Sequence, residues 1–480
     1  MRAFNSRRIA ALAALALCAA CAPREVLLPK LGIEVPKLQD FPADFVAPVS
    51  HETGQPMGGF GGGGGGVQRT PVIFVHGNTV SAAFWLPARE YFLEQGYSED
   101  ELWALSYGWN NVRYLDSNDL SVPSLERTVN AVQNNLYKAT GRQVHQFDLI
   151  GHSLGVTLVR QWMKQTNSYH KVRSFIGVAG ASDGVWTAWA DSRAQQRPVS
   201  WEIYPDSPWL EQLNRGGETP GATHYMTLYD GSGWGDVLFP PPYQDSGALD
   251  GAYNLPFNRV HGTYYDHLML PRVPATMDAM LAWLRNRGEP LPQAEPPRLI
   301  RDGALVYADQ PGAVVHCATG QLLPDRGSAS KPQWTLAEGE ISSCFPLHPR
   351  SGLAGPMARY KQVADYRPAA ELTVQASHES GAYEQRQQVS LSASDPQAFI
   401  VYSTAGLEPD SGAPLYSQPV EIVAPVRLVA MAITPDGRRS EPLQLDIDIS
   451  MELVEARHSL QRQFDPGAPV EYEGKRKKGN

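Results

Sequence analysis

One pentapeptide constrains this chain more than any other feature. Gly151-His152-Ser153-Leu154-Gly155 follows the apolar run Phe147 to Ile150 and precedes Leu154 to Lys164, where apolar residues recur at helical spacing. A serine between a strand and a helix, with small residues on either side, belongs to a turn so tight that larger side chains would clash. Such a turn lifts the hydroxyl onto the helix N-terminus, whose free N–H groups and dipole favour developing negative charge. Ser153 is therefore the candidate nucleophile, and an ordinary glycine-flanked turn is the competing reading.

The neighbouring sequence has the texture this turn requires. From Pro71 short apolar runs alternate with amphipathic stretches, which predicts a doubly wound, mostly parallel α/β sheet with helices on both faces. Strands are expected at Val72 to Val75, Glu101 to Tyr107, Phe147 to Ile150, Val172 to Val178 and His224 to Tyr229. Helices are expected at Phe84 to Gln95, Val122 to Tyr137, Leu154 to Lys164 and Pro274 to Arg287. Before this region, Met57 to Gly66 reads MGGFGGGGGG, and so many glycines predict a flexible linker or loop. A phosphate-cradling role fails, because no Lys-Ser or Lys-Thr follows.

Serine chemistry of this kind needs oxyanion donors, a base and an acid. Val75-His76-Gly77-Asn78 ends the first core strand, where α/β-hydrolases place one donor, so the backbone N–H groups of Asn78 and Leu154 are the oxyanion candidates. His76 precedes the serine and reads as structural. In this fold the acid and the base follow the serine in that order. His267, just upstream of the last helix, is the candidate base, with His261 as competitor and His224 expected inside a strand. Asp236, before Val237-Leu238-Phe239-Pro240, is the candidate acid. Asp230, beside Gly231, is the alternative and otherwise a turn former.

The segments VIFVHGN, FDLIGHSLG, SPWLEQLNRGGETPG, ALDGAYN and YYDHLML together resemble the bacterial class 2 lipases, over roughly residues 70 to 290. The resemblance implies an α/β-hydrolase acting on acylglycerols and related esters, with no cofactor and no metal. Further on, IVYSTAGLEPDSGAPLYSQPVEI and VRLVAMAITPDGRRSEP resemble the C-terminal β-sandwich of chitobiases and β-hexosaminidases. That resemblance implies a spacer or structural module, or one that contacts carbohydrate or polymer, and no sugar cleavage. Trp186, Trp189, Trp201, Tyr204 and Trp209, between the central strand and the acid strand, read either as core or as an acyl-binding wall over the site.

The first residues carry an expectation of export. Arg2, Arg7 and Arg8 precede an apolar run from Ile9 to Ala20 that is too short to span a bilayer and reads as an export signal. Leu17-Cys18-Ala19-Ala20-Cys21 resembles a bacterial lipobox, which implies lipid on Cys21 and, with Ala22 following, the outer membrane; simple secretion is the alternative. In an oxidising compartment Cys317 and Cys344 should pair. With 41 Lys and Arg against 50 Asp and Glu, a net charge of −9 argues against nucleic acid as a partner, since phosphate binding needs a basic face. The basic tail Lys475 to Lys478 reads as a solvated terminus.

The expected organisation is therefore an export signal over residues 1–20, an N-terminal segment with Gly-rich linker over 21–69 and a catalytic domain over 70–290. A β-rich connector with a disulfide over 291–370, a β-sandwich over 371–450 and a tail over 451–480 complete it. The expected partner is an ester or lipid substrate, insoluble substrates included, and membrane contact is expected only through the N-terminal lipid anchor. An extracellular polyester depolymerase, or a non-catalytic surface lipoprotein that keeps the scaffold for binding, are the rival readings.

Overall fold

The computed structural model describes residues 38–51, 54–78, 80–107, 117–185, 187, 198–290 and 294–449. The export signal, Cys21, Trp186, Trp189 and the basic tail lie outside the described residues. Eight strands form the central sheet: β1 Gln39–Asp40, β2 Gly58–Gly61, β3 Val72–Val75, β4 Leu102–Ser106, β5 Phe147–His152, β6 Val172–Val178, β7 His224–Tyr229 and β8 Tyr253–Pro256. Their spatial order is β1-β2-β4-β3-β5-β6-β7-β8, and the six from β4 to β8 run parallel. Every residue of β3, β4, β5 and β6 is buried. That is why these strands read as continuous apolar runs: both faces of a parallel sheet are covered by helices.

The covering helices are α1 Leu86–Glu94, α2 Asn118–Thr140, α3 Leu154–Gln165, α4 Pro198–Glu202, α5 Pro208–Asn214, α6 Phe257–His261 and α7 Pro274–Arg285. One face buries Ile73, Val75 and Leu149 against Val129 of α2 and Leu158 of α3. The other buries Val72, Phe74 and Ile150 against Phe92 of α1 and Met280 of α7. Alternate residues of one strand thus feed opposite cores, as the period of two demands. Among the described residues no helix is long and apolar enough to cross a membrane.

The glycine run departs from expectation, because its first part is strand β2, antiparallel to β4. A Cβ at Gly59 would fall 2.1 Å from the carbonyl oxygen of Ala104, and one at Gly61 would fall 2.3 Å from the ring of Trp103. The missing side chains let the backbone approach β4 and cover Trp103, a packing role that glycine-rich composition does not betray. Phe60, between them, is fully buried at 6.4 Å from the ring of Phe74, which contributes about 2 to 3 kcal/mol of apolar burial. The later glycines stay ordered too, since Gly64 and Gly66 donate to the two carboxylate oxygens of Asp100 at 3.0 Å each.

Downstream the chain turns to sheets that are antiparallel except where β17 Gly381–Tyr383 runs parallel to β23 Leu443–Ile449. The connector contains β9 Leu299–Asp302, β10 Leu305–Ala308, β11 Val314–Thr319, β12 Ser330–Lys331, β13 Gln333–Thr335, β14 Ile341–Leu347 and β15 Ala358–Lys361. Cys317 of β11 and Cys344 of β14 are register partners and are bonded to one another. The sandwich follows with β16 Val374–Ala376, β17 Gly381–Tyr383, β18 Gln387–Val389, β19 Leu391–Ala393, β20 Phe399–Ser403, β21 Val420–Ile422, β22 Val426–Ile433 and β23 Leu443–Ile449. Alternation is plain in β23, where Leu445, Ile447 and Ile449 are buried while Gln444, Asp446 and Asp448 face solvent.

These modules are seated on the helical face beside α3. Gln165 Oε1 accepts from the backbone of Thr404 at 3.0 Å, and Asn167 Nδ2 donates to the carbonyl of Met357 at 2.7 Å. Gly412 admits this contact, for a Cβ there would lie 2.2 Å from Asn167 Nδ2. Trp201 of α4 joins the apolar core of the sandwich with Val389, Ile400 and Leu428.

Candidate active site

β5 delivers Ser153 at the start of α3. The serine holds φ 54° and ψ −124°, a conformation that L residues rarely adopt, and its N–H is tied to the carbonyl of Val178 on β6 at 2.9 Å. The small neighbours are sterically required. A Cβ on Gly151 would approach the backbone of Gly155 at 2.9 Å, one on Gly155 would meet the carbonyl oxygen of Val75 at 2.5 Å, and one on Gly77 would meet Cβ of Ser153 at 2.7 Å. The last contact also places the end of β3, and with it the peptide that carries the Asn78 N–H, against the serine.

His76 fixes that peptide. Its Nε2 accepts from the backbone N–H of Tyr107 at 3.2 Å, so the ring proton sits on Nδ1, which donates to the carbonyl of Gly77 at 2.7 Å. The tautomer is assigned by its partners. In a trans peptide the N–H points opposite to the carbonyl, so anchoring the carbonyl of Gly77 aims the N–H of Asn78 the other way. Stacking on Tyr107, centroids 4.3 Å apart, holds the imidazole in plane. The other oxyanion candidate, the N–H of Leu154, is the first of α3 and belongs to the turn that has no partner inside the helix.

The acid and histidine loops meet. His267 Nδ1 lies 2.7 Å from Asp236 Oδ2, and the other carboxylate oxygen of Asp236 accepts from the backbone of Leu238 at 3.0 Å. Asp236 is fully buried and His267 nearly so. The alternative acid faces elsewhere. Asp230 accepts from Ser232 Oγ, from the backbone of Gly233 and from Asn258 Nδ2, each at 2.6 Å, and so organises its own loop. His261 lies on α6 against Phe257, centroids 4.3 Å apart, and His224 starts β7, where burial first and then the charges of Arg326, Arg287 and Arg173 push its pKa down to about 3.

One residue of the motif has a function that its position alone did not announce. His152, fully buried beside Ser153, offers Nε2 to the backbone carbonyl of His267 at 2.9 Å, and its ring is 4.7 Å from that of His267. Burial holds its pKa well below the ordinary histidine value, and the charges of His267, His76 and Arg272 add to that while the bond to His267 opposes it. It is therefore neutral, a donor to the loop that carries His267. A second unpredicted feature is a buried carboxylate pair. Glu202 accepts from the backbone and side chain of Asn118 at 2.7 and 2.8 Å and from Ser117 Oγ, while Asp119 accepts from Gln161 Nε2 and, at 3.2 Å, from Trp209 Nε1. No sequence signal marks Glu202, because its partners lie about 85 residues away.

The aromatic stretch between β6 and β7 divides. Trp201 and Trp209 are buried, the first in the sandwich core and the second on α5 with Leu210 and Leu213, its Nε1 donating to Asp119, so neither is a wall of the site. The two loops that bring Asp236 and His267 together instead expose Trp234, Val237, Tyr264, Leu268 and Met269, between 44% and 75%, an apolar rim next to the pair in sequence. The two loops are side by side, since a Cβ on Gly235 would lie 2.8 Å from the carbonyl oxygen of Tyr265.

Residues 69–232 match the family model described as lipase (class 2), a match that stops short of Asp236 and His267, and residues 378–444 match the chitobiase/β-hexosaminidase C-terminal domain. No curated protein matches the chain. Similar solved structures include the lipase BlEst2 of Bacillus licheniformis in its propeptide form, 13% identical over 81% of this chain and 96% of that one, with a TM-score of 0.36. Esterase 2 of Thermogutta terrifontis is 13% identical over 54% of this chain and 97% of its own, with a TM-score of 0.37. Phospholipase PlaB of Legionella pneumophila is 12% identical over 63% and 97%, with a TM-score of 0.29. Residues 69–232 are thus similar to the class 2 lipases and residues 378–444 to the chitobiase/β-hexosaminidase C-terminal domain, the first on a central sheet of α/β-hydrolase type.

Proposed function

We propose that the chain is a serine hydrolase that cleaves acylglycerol-type carboxylic esters through an acyl-enzyme. His267 takes the proton of the Ser153 hydroxyl as the oxygen attacks the ester carbonyl, and Asp236 holds the imidazole in the tautomer that can accept it. The N–H groups of Asn78 and Leu154 receive the oxyanion. Collapse of the tetrahedral intermediate passes the proton from His267 to the leaving alcohol, and water, deprotonated by the same imidazole, then releases the acid and regenerates the serine.

The observation that carries this reading is the 2.7 Å contact of His267 with Asp236, with the His267 carbonyl bonded to His152, the neighbour of a strained serine at a helix N-terminus. The exposed apolar rim supports a water-insoluble substrate, because large apolar side chains gathered around a polar site gain free energy against a lipid surface. Export, with lipid on Cys21, is consistent with such substrates lying outside the cell. Ser153→Ala is expected to abolish hydrolysis of p-nitrophenyl butyrate and labelling by a fluorophosphonate probe while the circular dichroism spectrum is unchanged. Turnover at the wild-type rate would remove the assignment.

A further inference from the structure

The C-terminal sandwich does not hang from the hydrolase by its connector alone; it receives a side chain from the segment between β6 and β7. Trp201, the fourth residue of α4, is 8% exposed and packs among Val389, Ile400, Tyr402 and Leu428 of the sandwich. Glu202, next to it, is locked onto the first residues of α2 by Ser117 and Asn118. Ile203, one residue further, packs against a small cluster of Ala181, Val185 and Phe239 together with Leu238, and its carbonyl accepts from Val185 at 2.8 Å. Leu238 and Phe239 are the second and third residues after the acid: the backbone of Leu238 donates to Asp236, and the ring of Phe239 stands 5.9 Å from that of His267.

Three consecutive residues thus span from the sandwich core to the acid loop. We infer that the sandwich acts as an internal brace for the catalytic loops, with Trp201 as the anchor and Ile203 as the contact that holds Leu238 and Phe239, and through them the Asp236–His267 pair, in position. The idea rests on the proposed function for its kinetic consequence only. The physical ground is that packed side chains with one well-filled arrangement transmit a displacement instead of absorbing it. A small misplacement of an acid–base pair then costs a large factor in rate. The sandwich family to which the domain is similar suggests a surface for other polymers. Here Trp201 is buried among its core residues by the chain's own hydrolase domain, and that contact is intramolecular.

The test uses the full chain. Trp201→Ala is compared with Ile447→Ala, a truncation in the same sandwich core on β23, and with Trp201→Phe. With p-nitrophenyl butyrate, Trp201→Ala is expected to lower kcat ten- to a hundredfold with KM moved less than threefold. Trp201→Phe should recover most of that loss, and Ile447→Ala should leave kcat within twofold although its Tm falls. Ile203→Ala, which enters the relay from the other end, should reproduce the kcat defect even if Trp201→Ala fails to fold. Amide hydrogen exchange, which needs no turnover, should quicken in residues 236–240 and 264–268 of the Trp201 and Ile203 variants and not in Ile447→Ala. Equal kinetic and exchange changes in Ile447→Ala, or an unchanged kcat in both Trp201→Ala and Ile203→Ala, would overturn the brace. Should the wild type itself fail to label with a fluorophosphonate, the functional proposal falls while the exchange comparison still decides the brace.

Discussion

His152 donates from Nε2 to the backbone carbonyl of His267 at 2.9 Å, so the residue before the candidate nucleophile holds the residue proposed as its base. The ring of His152 is clamped between Phe84, centroids 4.8 Å apart, and His267 itself, and burial keeps it neutral. Its replacement by Ala removes one hydrogen bond and a packed ring at the point where the two halves of the site meet. The expected result is a fall in kcat/KM of roughly ten- to a hundredfold, or about 1.4 to 2.7 kcal/mol of transition-state stabilisation. Because His152 carries no charge near neutrality, the acidic limb of the pH–rate profile should keep its midpoint. A moved midpoint in stopped assays from pH 5 to 8 would show that His152 titrates in the reaction.

The two aspartates of the acid loop are separable by kinetics. Asp236→Asn leaves a group of the same shape beside His267 but no longer stabilises the imidazolium, and kcat is expected to drop about 10³- to 10⁴-fold with the fold retained. Asp230→Asn should instead weaken the loop held by Ser232, Gly233 and Asn258. It should lower Tm by several degrees and kcat by less than tenfold. Reversal of these two effects would reassign the acid.

The glycine before the oxyanion candidate has no room for a methyl group. A Cβ on Gly77 would stand 2.7 Å from Cβ of Ser153 and 3.0 Å from the carbonyl oxygen of His152. Gly77→Ala must push β3 away from the serine or turn the Asn78 peptide, and either change misaims an oxyanion donor. Loss of one such donor costs about 3 kcal/mol. A hundredfold or greater fall in kcat is therefore expected, with fluorophosphonate labelling slowed in parallel. Normal kinetics would mean that the oxygen is held elsewhere.

How much of this was legible in the residues follows from how local each signal is. Val172 to Val178 and His224 to Tyr229 are strands with the bounds their apolar runs suggest, because a strand buried on both faces writes itself as an uninterrupted stretch. The serine turn was legible because its steric demands select glycine at fixed offsets. The glycine strand β2 was not, since its reason is the approach of Trp103 and Ala104 from more than 40 residues away. β8 was likewise hidden: Tyr253 is exposed and the strand is short, so no buried alternation marks it. Glu202 and Trp201 draw their roles entirely from partners in other parts of the chain, and Trp201 read first as core, with a wall of the site as the alternative.

The exposed rim separates soluble from aggregated substrates. Trp234 and Tyr264, each 75% exposed, flank Asp236 and His267 in sequence and stand on loops that lie against each other. A tryptophan moved from water to a lipid surface gains roughly 2 kcal/mol, so the Trp234→Ser, Tyr264→Ser double variant is expected to lose at least tenfold more activity on tributyrin emulsion than on dissolved p-nitrophenyl butyrate. Equal losses on both would indicate that the rim shapes the pocket and does not meet an interface. Solid polyhydroxyalkanoate, assayed alongside, separates lipid from polyester as the preferred aggregate.

The buried carboxylate pair makes a pH statement whose sign is fixed by its environment. Burial first, and the charge of Asp119 second, raise the pKa of Glu202 above the ordinary 4.5 for a glutamate, although Ser117 and Asn118 pull it back. Asp119 is raised as well, again chiefly by burial. A group with a raised pKa binds its proton more tightly in the folded chain, so the folded state holds more protons than the unfolded one once the pH exceeds 4.5. The stability that this protonation contributes is full below that point and is lost as the pH climbs through the raised value. Glu202→Gln has no proton to lose there. Whatever its offset at pH 5, the Tm of the variant relative to wild type should therefore rise from pH 5 and level off above about pH 8, read by differential scanning calorimetry in buffers of equal ionic strength. A difference that stayed flat over that range would mean that Glu202 is ionised throughout, with the three donors from Ser117 and Asn118 outweighing both its burial and the charge of Asp119.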